Sequence, residues 1–178
     1  MSKVLVVVGH PNLATSRHNA ALVAAIGDLD DVTVHDLYRA YPDFQIDVAA
    51  EQTLVESHQA VIFQHPVHWY NSPPLVRQWQ DDVLTHGWAF AYDGSTTATA
   101  GKKALVAVTC GGSTEDYSLH GRNRHEVDVY LSSWTSTLKL CQFDVQESFH
   151  VQGAAYGISN DELTLAAKKY RELVCSFL

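Results

Sequence analysis

The residues Val4-Leu5-Val6-Val7-Val8 form a run with no polar position. A strand with one wet face alternates apolar and polar residues. A strand without alternation is covered on both faces, the habit of parallel sheets. Ala60-Val61-Ile62-Phe63 repeats the signal, and Ala104 to Thr109 supplies it again. Parallel neighbours need a crossover between them, usually a helix. These runs therefore restrict the chain to alternating strands and helices.

The rest of the chain fits that restriction. Ser16 is placed to cap a helix running to about Ile26, with Ala20, Leu22, Val23 and Ile26 as its apolar positions. Val32-Thr33-Val34 reads as a second strand, Tyr41-Pro42-Asp43-Phe44 as a loop, and Val48 to about Ser57 as a helix. Ala60 to Gln64 is the third strand. The next helix starts at Pro73 or Pro74, tolerated in a first turn, and runs to about Thr85, with Leu75, Trp79 and Val83 on one face. Trp88 to Lys103 is irregular. Ala104 to Thr109 is the fourth strand, Glu126 to Leu140 a helix, and Phe143 to Val151 holds a fifth strand. Ser159 opens a last helix, with Glu162 completing a capping box. The expected architecture is α/β: a flavodoxin-like five-stranded parallel sheet, order 2-1-3-4-5, with helices on both faces. No repeat or linker divides the 178 residues, so a single domain spanning 1–178 is expected.

A net charge of −8 argues against a nucleic-acid partner, which needs a basic face. Cys110, Cys141 and Cys175 are far apart and form no CxxC pair, as in a reduced, cytoplasmic protein. No apolar run approaches the roughly 20 residues that span a bilayer, so membrane association would be peripheral, through a partner.

Four segments carry polar chemistry. After the first strand, Gly9-His10-Pro11 leads to Ser16-Arg17-His18-Asn19. A helix start there presents unpaired N–H groups to a phosphate, although an ordinary capped helix has the same composition. The turn lacks GxGxxG and GxxxxGK[ST], so neither a Rossmann dinucleotide site nor nucleotide hydrolysis is expected. Without those glycines, Asp36 reads as a solvated strand end. After the third strand comes His65-Pro66-Val67-His68-Trp69-Tyr70, where Trp69 and Tyr70 offer a flat wall or, equally, packing for a core or subunit contact. His65 and His68 have HxxH spacing without a third ligand, so no metal is expected. After the fourth strand, Thr109-Cys110-Gly111-Gly112 offers a hydroxyl and approachable N–H groups. Cys110 has no assignable base and reads as a packing residue. Then Tyr117-Ser118-Leu119-His120-Gly121-Arg122-Asn123-Arg124-His125 contains Tyr117, a candidate donor to an oxygen that gains charge; Arg122 and Arg124 read as exposed loop. In a 2-1-3-4-5 sheet the first, third and fourth strands are adjacent, and ligands bind at the switch point between the first and third. One crevice would receive the phosphate turn, the aromatic loop and the Gly-Gly loop together, in the arrangement of a flavin mononucleotide site.

With these residues in view, the chain resembles the flavodoxin-like NAD(P)H:quinone oxidoreductases. It is most similar to the small bacterial branch that includes the ancillary subunits of glutathione-gated potassium-efflux systems. The resemblance rests on Gly9-His10-Pro11 with Ser16 to Asn19, Tyr41-Pro42-Asp43-Phe44 with Ile46-Asp47, Gln64 through Pro74, His86-Gly87-Trp88-Ala89, and Thr109 to Gly112. It implies flavin contacts at His10, Ser16, Arg17, His18, Asn19, Pro66, Val67, His68, Trp69, Tyr70, Thr109, Cys110, Gly111 and Gly112. The cofactor implied is FMN, or FAD in its place. NAD(P)H is then the substrate that gives a hydride to flavin N5 and leaves, and a quinone or related small electrophile takes it in the same pocket. A homodimer with the flavin near the subunit interface is also implied. So is an alternative role, a regulatory ancillary subunit peripherally bound to a potassium-efflux membrane protein with oxidoreductase activity secondary. A one-electron carrier like flavodoxin is disfavoured by the resemblance.

The chain departs from the family in places. Better-known members have Thr-Thr-Gly-Gly where Cys110 interrupts here. Some larger relatives pair a Tyr with a His six residues on; Tyr117 matches the first, but Asn123 stands at the second, leaving His120 or His125 as substitutes. Asp82 occupies a position that is often basic in relatives.

Overall fold

The sheet is organised around its first strand, β1 (Val4–Val8), every residue of which is buried. The computed structural model describes residues 3–178. β1 lies in register with β2 (Val32–Asp36) on one side and β3 (Ala60–Pro66) on the other, all parallel. β4 (Lys103–Thr109) follows outside β3. The order is β2-β1-β3-β4 and then the fifth position, which is 2-1-3-4-5.

The missing alternation has its cause in the two cores. Val4, Val6 and Val8 pack with Leu22 of α1 (Arg17–Ala24), with Ile26 just beyond it, and with Tyr170 and Val174 of α7 (Asn160–Cys175). Leu5 and Val7 face the other way, toward Val55, Leu75, Trp79 and Val83 from α3 (Val48–Glu56) and α4 (Pro74–Val83). A polar residue in β1 would face a core on either side. On the α3/α4 face the buried Glu51 carboxylate accepts from Trp79 Nε1 (2.7 Å) and Tyr41 OH (2.6 Å) and pairs with His35 Nε2 (2.7 Å). Burial opposes its ionisation, but these partners, His35 first, outweigh that and hold its pKa below the usual carboxylate value.

Four local differences from the sequence reading have physical reasons. β2 runs on to Asp36, whose carboxylate accepts from Arg39 N and so caps an unanticipated short helix, α2 (Leu37–Ala40); Asp36 is not a merely solvated strand end. β3 extends through His65 and Pro66, because β4 continues alongside to Thr109 after β1 has ended at Val8, opposite Gln64. The expected helix Glu126 to Leu140 is two helices, α5 (Val127–Tyr130) and α6 (Ser132–Leu140), broken at Leu131 with φ −89 and ψ 2. Val, Ser and Thr dominate this stretch, and such residues hold a helix weakly. The fifth position holds two short strands, β5 (Asp144–Val145) and β6 (Phe149–Val151), both parallel to β4. Ala104 to Ala107 on β4 spans one residue fewer than Val145 to Phe149 opposite, so the edge carries a bulge at Gln146-Glu147-Ser148.

Among the described residues no helix is long and apolar enough to cross a membrane. The carboxyl ends of β1, β3 and β4 lie side by side, and the polar segments open from them.

Candidate functional site

Two cavities share a wall above those strand ends. One, of about 300 Å3, is lined by His10, Ser16, His18, Asn19, Pro66, Val67, His68, Thr109, Gly111, Ala154 and Ala155. The second, of about 370 Å3, is lined by Val67, Trp69, Tyr70, Gly111, Gly112, Tyr117, Arg122 and Asn123. Val67 and Gly111 belong to both. The three segments expected to share a crevice thus meet in one elongated hollow, joined by Tyr117, Arg122 and Asn123 of the fourth.

At the first end, Ser16 caps α1, its hydroxyl oxygen accepting from Asn19 N at 3.2 Å. The backbone N–H groups of Arg17 and His18 are left over, as in any helix start, beside a cavity. The side chains are less available than the sequence suggests. Asn19 Nδ2 donates to Thr109 Oγ1 (2.9 Å), and Gln64 Nε2 donates to Asn19 O (3.1 Å) and Oδ1 (3.3 Å). This network ties α1 to β3 and β4, so Asn19 and Thr109 build the floor through each other. The Arg17 guanidinium reaches away to Asn160 Oδ1 (2.9 Å) and does not line the cavity. Burial, then the neighbouring Arg17 charge, lowers the His18 pKa; burial, then His68, lowers that of His10, whose Nδ1 accepts from Asn12 N.

The second end is built on strain. Trp69 and Tyr70 have φ of 51 and 62. His68 N donates to Asn71 O (2.8 Å) and Asn71 N to His68 O (3.0 Å), closing a two-residue turn over them. Successive left-handed residues are the mark of a type I′ turn, normally made by Asn and Gly. Bulky aromatics there cost about 1–3 kcal/mol each and persist only when the surroundings hold them. Tyr70 is held: its ring stacks on Tyr130 (centroids 4.9 Å apart) and its OH donates to Asn123 Oδ1 (3.1 Å). Trp69 is 94% exposed.

His65 and His68 have separate fates. His68 is exposed on the turn. His65 is sealed beneath it, stacked on Trp134 and bonded through Nε2 to Ser72 Oγ; burial pushes its pKa down to about 4. The described residues contain no group of three or more His, Cys, Asp or Glu able to hold a metal.

The Gly-Gly loop closes the site. The carbonyls of Gly111 and Gly112 accept from Ala155 N and Gly153 N, which leaves their N–H groups without a partner among the described residues. A Cβ at Gly112 would lie 2.9 Å from the Tyr117 ring, so this glycine admits the tyrosine. Burial first, and then the nearby Cys110, Tyr70 and Tyr130, raise the Tyr117 pKa to about 12. Cys110 reaches neither cavity. It is fully buried, its backbone is spent on Val151 O and Ala154 N, and burial raises its thiol to about 12.

A sequence model of the flavodoxin-like fold family matches residues 2–174. The chain belongs to this family. It is 48% identical over 119 residues to a protein of Bacillus subtilis named NAD(P)H oxidoreductase YrkL, covering 67% of each chain. It is 34% identical to the glutathione-regulated potassium-efflux system ancillary protein KefF of Salmonella schwarzengrund, over 95% of this chain and 93% of that one. The crystal structure of general stress protein 14 from Treponema denticola, in complex with FMN, superposes with a TM-score of 0.91 and 34% identity, covering 99% of both chains.

Three further residues shape this flavodoxin-like crevice in roles that the sequence does not announce: Gln64, Asn123 and Tyr130. Gln64 is fully buried and braces Asn19, while its own Oε1 has no partner. Tyr130 and Asn123 clamp Tyr70, and Tyr130 OH donates to Asn123 O at 2.7 Å. The polar Gln64 at the end of an apolar strand was the one visible signal among them. Gly9 is explained by packing: a Cβ there would collide with Val76 of α4.

Proposed function

We propose that this chain is an FMN-dependent NAD(P)H:quinone oxidoreductase of the cytoplasm, a single-domain protein that pairs as a homodimer. The observation that carries the reading is the continuity of the two cavities through Val67 and Gly111. One end offers a helix start to a phosphate, and the other offers an aromatic turn and free glycine amides to a flat ring. The FMN in the Treponema denticola structure and the name of the Bacillus subtilis relative support it.

The Arg17 and His18 amides with the Ser16 hydroxyl would hold the phosphate. The backbone from Pro66 to Tyr70 and the amides of Gly111 and Gly112 would hold the ring. When bound, FMN supplies two-electron chemistry, accepting a hydride from NAD(P)H and passing it to a quinone, which with one solvent proton becomes hydroquinone. The protein's own part is positional. With its pKa near 12, Tyr117 keeps its proton at neutral pH and can donate a hydrogen bond to an oxygen that gains negative charge. Trp69 and Tyr70 wall the ring end against water.

A visible spectrum of the purified protein followed by anaerobic NAD(P)H titration tests this reading. Expected are flavin absorbance, its bleaching, and recovery on adding menadione; chromatography of the released flavin separates FMN from FAD. A colourless protein that ignores added FMN, or one with no quinone-dependent oxidation of NAD(P)H, overturns it.

The likeness to KefF favours a second role, as a regulatory subunit of a potassium-efflux membrane protein. That role predicts recruitment to membranes containing the efflux protein and altered efflux. Trp69→Ala measures whether the flavin site is required.

A further inference from the structure

A third cavity, of about 570 Å3, opens beside the aromatic end of the crevice and is lined by Leu119, His120, Gly121, Arg122 and Arg124. Arg122 also lines the ring cavity, so the two adjoin. In a chain of net charge −8, two guanidiniums line this one hollow.

The loop holding them is built tightly. Gly121 N donates to Ser118 O and Oγ, Asn123 N to Asp116 O, and Arg124 N to Gly121 O. A Cβ at Gly121 would collide with the Glu115 carbonyl, so this close turn needs glycine. Arg124 is held at φ 61, a strained value for a non-glycine residue. Arg122 is braced by Tyr156 OH (2.7 Å) and, more loosely, by Asp116 Oδ1 (3.5 Å). Arg124 has no ion-pair or side-chain hydrogen-bond partner among the described residues. One cation is therefore aimed and the other is unspent, on a backbone that pays a conformational cost to present them.

We propose that this cavity receives the phosphates of the dinucleotide whose dihydronicotinamide enters the ring cavity. The inference rests on the proposed oxidoreductase function. In that function the helix start of α1 is engaged by the cofactor's own phosphate, so a second anion site calls for a second phosphate-bearing ligand. A nicotinamide dinucleotide is such a ligand: its flat ring is tethered to a pyrophosphate, and in NADPH to a 2′-phosphate as well. Guanidinium groups bind phosphate oxygens in paired, charge-assisted hydrogen bonds. Arg122 and Arg124, which read from sequence as exposed loop, become residues that select the electron donor.

The test compares NADPH, NADH and the phosphate-free donor 1-benzyl-1,4-dihydronicotinamide on FMN-loaded protein, with Arg124→Gln and Arg122→Gln. The KM of a dinucleotide is expected to rise roughly tenfold in Arg124→Gln, and that of the phosphate-free donor to move far less. A rise for NADPH alone assigns the 2′-phosphate, and an equal rise for both dinucleotides assigns the pyrophosphate. Unchanged dinucleotide KM values, or an equal rise for the phosphate-free donor, overturn the proposal. Calorimetry with 2′,5′-ADP and ADP gives a readout independent of turnover. At least one should bind the parent protein, weaken with salt, and be lost in Arg124→Gln; failure of both to bind overturns the proposal. If the parent protein oxidises no nicotinamide donor, the oxidoreductase reading fails, and calorimetry alone decides the cavity.

Discussion

The two ends of the crevice are held in place by opposite means. At the α1 end, Asn19 bonds to both Thr109 and Gln64, with helical or extended backbone around them. At the aromatic end, the backbone of Trp69 and Tyr70 is strained, and stacking on Tyr130 with a bond to Asn123 keeps it so. A helix start attracts phosphate by its nature and needs only a firm floor. In the proposed function a flat ring needs an indole displayed against its preference to be buried, and the strained turn exposes Trp69.

The largest test of this contrast is acid. His65 lies beneath the strained turn, where burial holds its pKa near 4, below the ordinary histidine value of 6.5. Because the unfolded chain takes up this proton first, His65 should withdraw stability as pH falls from 6.5 toward 4, in total about 3 kcal/mol. Urea unfolding at stepped pH should show that slope, and His65→Gln should flatten its share of it. An unchanged slope in the variant would mean that the imidazole is not sealed from water. Next in size is Asn19→Ala, which takes from Thr109 Oγ1 its buried donor and leaves Gln64 Nε2 only the backbone carbonyl of residue 19. It should cost about 2 kcal/mol in denaturant unfolding and weaken FMN binding. A loss of affinity without a loss of stability would make Asn19 a ligand contact and dissolve the contrast. Smallest is Trp69→Gly. Relief of the left-handed strain should raise stability by about 1 kcal/mol while FMN affinity falls. A fall in both would show that the exposed indole stabilises the apo-protein.

The legible parts of the molecule were those written in adjacent residues. The continuous apolar runs disclosed the parallel sheet and its covered faces. Ser16 disclosed a helix start, and Ser159 with Glu162 a capping box that the structure forms. What lay hidden depends on distance or on broken local rules. The bond between Asn19 and Thr109 spans 90 residues, and nothing near either announces the other. Trp-Tyr is not a sequence that signals a left-handed turn, because the contacts holding Tyr70 come from Tyr130 of α5 and Asn123 of the loop before it. The bulge at Gln146 to Ser148 and the break at Leu131 are decided by fit against β4 and the core. Arg122 and Arg124 look like surface charge until the folding around Gly121 turns them onto one hollow.

The bond from Asn19 to Thr109 also sets an order of events during synthesis. A chain emerging amino end first completes the α1 side early, yet Asn19 waits for a residue 90 positions behind it. The Cys110 amide must then find Val151, later still. Contacts this far apart in sequence form late, because a long loop must close before they reward it. The floor of the crevice is therefore among the last things to exist. A nascent chain stalled before β4 holds three strands of the sheet and one side of the crevice, so in the proposed function any flavin would load onto the finished polypeptide.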